Sequence, residues 1–246
     1  MTRLASIGFS LLATAIMVAN AKSEARMTIS ESWFNFGYMP QYSKVSHSFW
    51  LKSTGDAELR VVEVIPGCGC TQMPLEKEVI PIGDSARLEI IFDSQRMKNR
   101  ITKSPRIKTN GSEPEKKLQI IATVVESGDT TRPLFFEPFR IDVLGTAEDA
   151  ARVVTFKITN LSDQKVELSL LDQAPEFFEL KLPASLGPGE SQSGTVTLKK
   201  NVLDTSFAKS FTIQTDDEWS HRFTVPVARK TAQRPPAAAG NEGKGK

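Results

Sequence analysis

Reactive side chains are scarce in this chain. Of its 246 residues only two are cysteine, two histidine and two tyrosine. No Gly-x-Ser-x-Gly, His-Glu-x-x-His, phosphate loop or local carboxylate pair occurs, so the sequence writes no enzyme chemistry. Neither sign of charge dominates: 31 Lys and Arg face 29 Asp and Glu, a net of +2. That balance gives no electrostatic case for a nucleic-acid partner. Two cysteines do not make a disulfide framework. Long amphipathic helical patterns are missing as well, and only one apolar run is of any length.

That run is at the start. Arg3 precedes Leu4 to Val18, which is broken only by Ser6, Gly8, Ser10 and Thr14, and Ala19-Asn20-Ala21 follows. A positive start, a short apolar stretch and small residues at a cleavage site make a secretory signal peptide over residues 1–21. A membrane span needs about 20 apolar residues, and this stretch is shorter. The expected mature chain begins near Lys22, has a net charge of +1 once Arg3 is removed, and is periplasmic or secreted. No cysteine follows the cleavage site to carry a lipid, and no later stretch is apolar enough to cross a bilayer.

The rest of the chain repeats itself. Phe49, Leu51 and Asp56 align with Phe156, Ile158 and Asp163 at an offset of 107. Ile80 to Phe92 (IPIGDSARLEIIF) matches Leu186 to Leu198 (LGPGESQSGTVTL), and Ser104 to Asn110 matches Ser210 to Asp216, both at an offset of 106. Three blocks in one order at nearly one spacing imply two copies of one domain, over residues 22–126 and 134–230. The polar segment 127–133 links them. Within the copies Val45, His47, Phe49 and Leu51 alternate with polar neighbours, as do Ala86, Leu88, Ile90 and Phe92, and Leu118, Ile120, Ala122 and Val124. This period of two marks half-buried strands. Ser53-Thr54-Gly55-Asp56, Pro81-Ile82-Gly83-Asp84, Asn110-Gly111 and Gly187-Pro188-Gly189-Glu190 supply turns. The expected fold is all-β: two tandem antiparallel sandwiches of immunoglobulin-like type. Residues 231–246, rich in Pro, Ala, Gly and Lys, cannot bury enough apolar surface to offset their ordering entropy, and a disordered tail is expected.

Phe34-Asn35-Phe36-Gly37, Ser46-His47-Ser48-Phe49, Ser53 to Leu59, Gly67-Cys68-Gly69-Cys70-Thr71, Ile82-Gly83-Asp84 and Phe92-Asp93-Ser94 occur in that order. This set, over Trp33 to Val125, resembles the bacterial domain of unknown function 1573, an Ig-like sandwich of the Hydin and major sperm protein group. Gly67 stands where the family often has Ser. The second copy resembles the same sandwich without the cysteines, with Gln173-Ala174-Pro175 near their place. The resemblance implies a fold and an exported location, and it implies no activity. In a bacterial chain the formal sequons Asn110-Gly111-Ser112 and Asn160-Leu161-Ser162 read as turns.

Cys68 and Cys70 are the only reactive constellation, and three readings stand. An extended chain would put Val64, Pro66, Cys68 and Cys70 on one face. A Cys68–Cys70 disulfide, the preferred reading, closes so small a loop that it contributes only about 1.6 kcal/mol in the loop-entropy model. Extended positions i and i+2 lie near the upper limit of Cα separation, about 6 to 7 Å, and Gly69 would relieve that by letting the chain kink. Alternatively the thiols are small buried hydrophobes. In the third reading Cys68, Cys70 and Met73, with Met39 near, hold monovalent copper or do redox work. Zinc does not fit, because His47 and His221 lie in different copies. His47 reads as a packing residue with a backbone partner, and His221 as a turn residue.

The expected function is therefore non-catalytic and without a cofactor: an exported module that binds a protein or another component of the cell envelope. The alternatives are the copper or thiol-redox protein and a periplasmic chaperone of the PapD type. Such a chaperone needs cations in its interdomain cleft, and the sequence offers only Arg132 near the linker.

Overall fold

The computed structural model describes residues 23–145 and 152–231. The expected signal peptide, residues 1–21, lies outside the described residues. So does the expected tail except Thr231, which ends the last strand.

The chain begins with β1 (Met27–Ile29), β2 (Trp33–Pro40), β3 (Lys44–Ser53) and β4 (Leu59–Ile65). Two short bridging strands, β5 (Thr71–Gln72) and β6 (Val79–Ile80), precede β7 (Ser85–Asp93). A long hairpin follows, each arm interrupted once. β8 (Asn99–Lys103) leads into β9 (Arg106–Thr109), and β10 (Glu115–Lys117) into β11 (Gln119–Val125). The first arm is interrupted at Pro105, which has no N–H to give to a ladder; its carbonyl accepts from Leu118. The second copy runs β12 (Leu134–Glu137), β13 (Ile141–Gly145), β14 (Val153–Asn160), β15 (Val166–Asp172) and β16 (Phe178–Lys181). It ends with β17 (Ser185–Leu186), β18 (Ser191–Leu198), β19 (Phe207–Thr215) and β20 (Arg222–Thr231).

The internal repeat is also a repeat of topology. β1-β3-β7-β5 forms one sheet of the first copy, and β12-β14-β18-β16 forms its counterpart in the second. Opposite them, β4 pairs with β6 and β9 just as β15 pairs with β17 and β19. Both copies are mostly antiparallel, as the alternation implied. Each departs from that rule once and in the same way: β2 runs parallel to β11, and β13 runs parallel to β20. Each copy closes its own core. Phe36, Phe49, Leu51, Leu88, Ile90 and Phe92 fill the first; Phe136, Phe156, Ile158, Val196, Phe211 and Phe223 fill the second.

The two copies are not merely strung together. Tyr38 of β2 pairs in parallel with Phe223 of β20, which joins sheets from both copies into one of eight strands. Gly37 makes this approach possible. Its φ is +65°, and a Cβ there would lie 2.0 Å from the Arg222 carbonyl oxygen. Thr224 donates its hydroxyl to the Phe36 carbonyl at 2.6 Å. The segment between the copies is ordered too. Gly128–Thr130 forms a 3-10 turn, and the fully buried Thr131 hydroxyl bonds the carbonyls of Gly128 and Leu134. In the segment that links the copies the Thr131 side chain is thus buried, while Ser127, Asp129, Thr130 and Arg132 stay exposed.

Candidate functional site

β4 ends at Ile65, and the next five residues turn instead of continuing the strand. The extended geometry expected for Val64 to Cys70 is therefore not what forms. Gly67, at φ +78°, bends the chain; the sequence had pointed to Gly69 for this. The turn brings the Cα atoms of Cys68 and Cys70 to 5.2 Å, inside the usual range for a bridge, with the sulfurs facing each other. Cys70 is buried in the first core, and Cys68 packs against that core from a half-buried position. The Thr71 hydroxyl lies 3.4 Å from the Cys68 sulfur and 3.9 Å from that of Cys70. Asp93 anchors the loop by donating its N–H to the Cys70 carbonyl at 2.8 Å.

Met73 and Met39 are both buried members of the same core. Their side chains are part of its apolar packing. Among the described residues, no group of three or more His, Cys, Asp and Glu side chains is arranged to hold a metal ion.

His47 departs from its expected role. Its partners are not backbone groups but two carboxylates: Nδ1 meets Asp172 and Nε2 meets Glu31, each at 2.8 Å. The ring stacks on Phe34 with centroids 3.6 Å apart. Asp172 belongs to the second copy, so His47 is part of the contact between sandwiches. Periodicity could not reveal this, because the partner lies 125 residues away. Around it, Ser46 donates its N–H to the Ser210 hydroxyl at 3.0 Å, and that hydroxyl donates to the Ser46 carbonyl at 3.1 Å. Lys209 reaches both oxygens of Glu89 at 2.6 Å, and Arg87 meets Glu176 at 3.1 Å.

His221 sits in the β19–β20 turn, as the sequence suggested, and its ring is paired with Asp217. Burial works against the charged form of Asp217. Hydrogen bonds from the Thr215 hydroxyl and from the His221 N–H and ring outweigh it and hold the carboxyl below the usual range. Arg222 lies over Trp33 and Phe34, its centre 5.7 and 5.8 Å from the ring centroids. Burial lowers its pKa from the ordinary value, and the nearby Glu31 charge opposes that shift.

On another side of the junction lies an open cleft of about 520 Å³. Phe207, Ala208 and Pro226 give it apolar walls, while Tyr42, Lys44, Arg140 and Lys230 bring polar and cationic groups. Arg140 donates to Asp142 at 2.7 Å and to the Tyr42 carbonyl at 3.2 Å. Arg132, the one cation the sequence placed near such a cleft, instead bonds the carbonyls of Asp129 and Thr131 within its own turn. Lys44, Arg140 and Lys230 are far apart in the chain, and no local pattern marks them as neighbours.

This strand order defines a protein of two tandem immunoglobulin-like sandwiches. Residues 27–124, within the first sandwich, match the model of the family described as protein of unknown function (DUF1573). No curated protein sequence matches the chain. Among solved structures the chain is similar to a protein of unknown function from Porphyromonas gingivalis W83. The identity is 11% and the TM-score 0.34, over 83% of this chain and 99% of that one. It is also similar to the seventh PapD-like domain of human CEP192, at 10% identity and a TM-score of 0.36, over 49% of this chain and 99% of the other. A third is the Pseudomonas aeruginosa CupB2 chaperone, at 10% and 0.28, over 82% and 100%. Scores this low carry no argument about role, and the fold rests on the strand pairing described above. Among the described residues no helix is long and apolar enough to cross a membrane.

Proposed function

We propose that this chain is an exported, non-catalytic module of the cell envelope that binds a protein partner through the junction of its two sandwiches. The observation that carries this reading is the 520 Å³ cleft, which sets Phe207, Ala208 and Pro226 beside Tyr42, four cations and the carboxylates of Asp93 and Asp142. An apolar centre rimmed by polar and charged groups suits a protein segment. A fixed junction holds both walls in place, so a partner would meet a preorganised surface and little ordering entropy would be lost on binding. Export follows from the leader pattern, and the compartment favours oxidation of Cys68 and Cys70 to each other. In that state the pair would staple a turn and perform no turnover.

A photo-reactive amino acid at Tyr42, in the full-length protein within its own envelope, tests the reading. A discrete protein adduct from Tyr42 and none from Asp163, on a far turn, is the expected outcome. No adduct from Tyr42 would remove the cleft as a binding surface.

The cleft's surplus of cations, Lys44, Arg140, Arg229 and Lys230 against Asp93 and Asp142, favours a second reading, a periplasmic chaperone that anchors its client through a carboxylate. The adduct separates the two. A chaperone would crosslink to an unassembled subunit that disappears from the cell when the chain is deleted, whereas an interaction module would crosslink to a partner that persists.

A further inference from the structure

The internal repeat makes it possible to ask what each face does in its other copy. In the second sandwich β15 pairs with β19 as far as Asp172 opposite Thr212, then leaves the sheet. In the first, β4 pairs with β9 as far as Ile65 opposite Arg106, the position equivalent to Thr212, and leaves in the same way. In both copies a stretch of the neighbouring strand is left without a partner on that side. It contains Lys209-Ser210 in the second copy and Lys103-Ser104 in the first, the same two residues at the same offset of 106.

The second copy uses this stretch. Lys209 and Ser210 are buried at 9% and 2% exposure because the first sandwich docks there. Lys209 takes the Glu89 carboxylate, Ser210 exchanges hydrogen bonds with the Ser46 backbone, and the loop after β15 adds Glu176 to Arg87. The Lys209 ammonium also lies 4.7 Å from the Phe177 ring centroid. In the first copy the equivalent loop is the Cys68–Cys70 turn. It stands at the same place, since a Cβ on Gly67 would lie 3.8 Å from the Ser104 carbonyl oxygen. Yet Ser104 is exposed and Lys103 half-exposed, and among the described residues neither side chain has a hydrogen-bond or ionic partner. Arg100, on the same strand β8, is exposed and likewise unpaired among them. Among the described residues β8 ends its sheet: β11 pairs with it on one side and no strand pairs with it on the other.

We propose that Lys103, Ser104 and the Cys68–Cys70 turn form a docking face for a partner protein that presents a β-strand carrying a carboxylate. It would be used as the equivalent face of the second sandwich is used to hold the first. The proposal rests on the reading of the chain as an interaction module and gives that module a second, chemically defined surface. A lysine at a sheet edge discourages pairing with other cationic edges and accepts an acidic one. The occupant is not another copy of this chain docking by its second sandwich, because the position equivalent to Glu89 there is Thr195, which offers no charge to Lys103. The Cys68–Cys70 turn thereby acquires a structural purpose: it takes the chain off the sheet at Ile65 and keeps the edge of β8 open.

The test uses the full-length protein and, as probe, a disulfide-closed hairpin peptide that reproduces residues 44–52 and 85–93, the surface that Lys209 and Ser210 already hold. Binding is followed by fluorescence anisotropy of the labelled peptide. The expected result is saturable binding that weakens at least tenfold when Lys103→Glu is introduced in the protein, or when the peptide carries Gln at the Glu89 position. A peptide with Lys at that position should recover binding to the Lys103→Glu protein, which a merely unfolded variant could not do. Lys181→Glu, on the second sandwich, should leave binding unchanged. No binding, or binding indifferent to these charge changes, overturns the proposal. Self-association of the chain that Lys103→Glu abolishes would overturn it too, by making a second copy the occupant. Failed hairpin binding with Tyr42 adducts intact would remove this face alone and leave the cleft reading standing.

Discussion

Lys209 of the second sandwich and Glu89 of the first face each other across the junction, the ammonium 2.6 Å from both carboxylate oxygens. Their side chains are only 11% and 13% exposed. A pair this sheltered has given up most of its hydration, so its contribution depends on both members being present. Replacing Glu89 by Gln, or Lys209 by Met, should therefore cost about 3 to 5 kcal/mol by leaving one buried charge unmatched. The combined Glu89→Leu, Lys209→Met protein should recover most of that loss. Urea unfolding of the three variants checks the expectation, and a double variant as unstable as the sum of the singles would contradict it.

Gly37 controls the backbone junction. A methyl group there would meet the Arg222 carbonyl, and the positive φ is itself costly for alanine. Gly37→Ala should destabilise the protein by at least about 2 kcal/mol, from the strained backbone and the clash together. Loss of the Tyr38–Phe223 pairing should appear as faster amide hydrogen exchange at Phe223 and Thr224.

Because the copies share a sheet and bury polar pairs between them, they should unfold together. The intact chain is expected to show one thermal transition. Fragments 22–128 and 130–229 should each melt well below it, since each exposes its half of the junction. Two separate transitions in the intact protein would show that the shared sheet does not couple the copies.

Asp217 gives a pH signature. Its pKa in the folded protein lies below the ordinary value of 3.8, so the carboxylate stabilises the fold above that value. The contribution fades as pH falls through the folded pKa. Asp217→Asn should cost about 1 kcal/mol at pH 7, the worth of its hydrogen bonds to Thr215 and His221. The gap to the unaltered protein should shrink at about pH 3, below the unfolded carboxylate's range. Denaturation at both pH values measures it.

The thiols can be read directly. In protein taken from the envelope, Cys68 and Cys70 should resist labelling until mild reductant is added. Changing both to Ser should cost less than about 2 kcal/mol, because the loop they close is so small. Mass analysis of the same sample should place the mature N-terminus at or near Lys22. Freely labelled thiols, or a chain still beginning at Met1, would remove the oxidised turn or the export reading respectively.

Much of the architecture was legible in the chain. Val45 to Leu51 and Ala86 to Phe92 became β3 and β7 because alternation alone decides which side of a sheet a residue faces. The offsets of 106 and 107 became two copies of one topology because the same pattern closes the same core twice. The Thr-Gly-Asp and Ile-Gly-Asp turns fell where local backbone chemistry demands them. What the sequence could not show were relationships between copies. His47 looked like a packing residue because its periodicity is that of a core strand, and only the docked second sandwich brings Asp172 to it. Lys103-Ser104 and Lys209-Ser210 are identical as text, yet the first pair is half-exposed and exposed while the second is buried. The cations Lys44, Arg140 and Lys230 are unremarkable singly and become a cleft together. Periodicity and turn chemistry act over a few residues, so they are written locally. Charge pairing and burial between sandwiches act across more than a hundred residues of chain, and only the packed structure decides them.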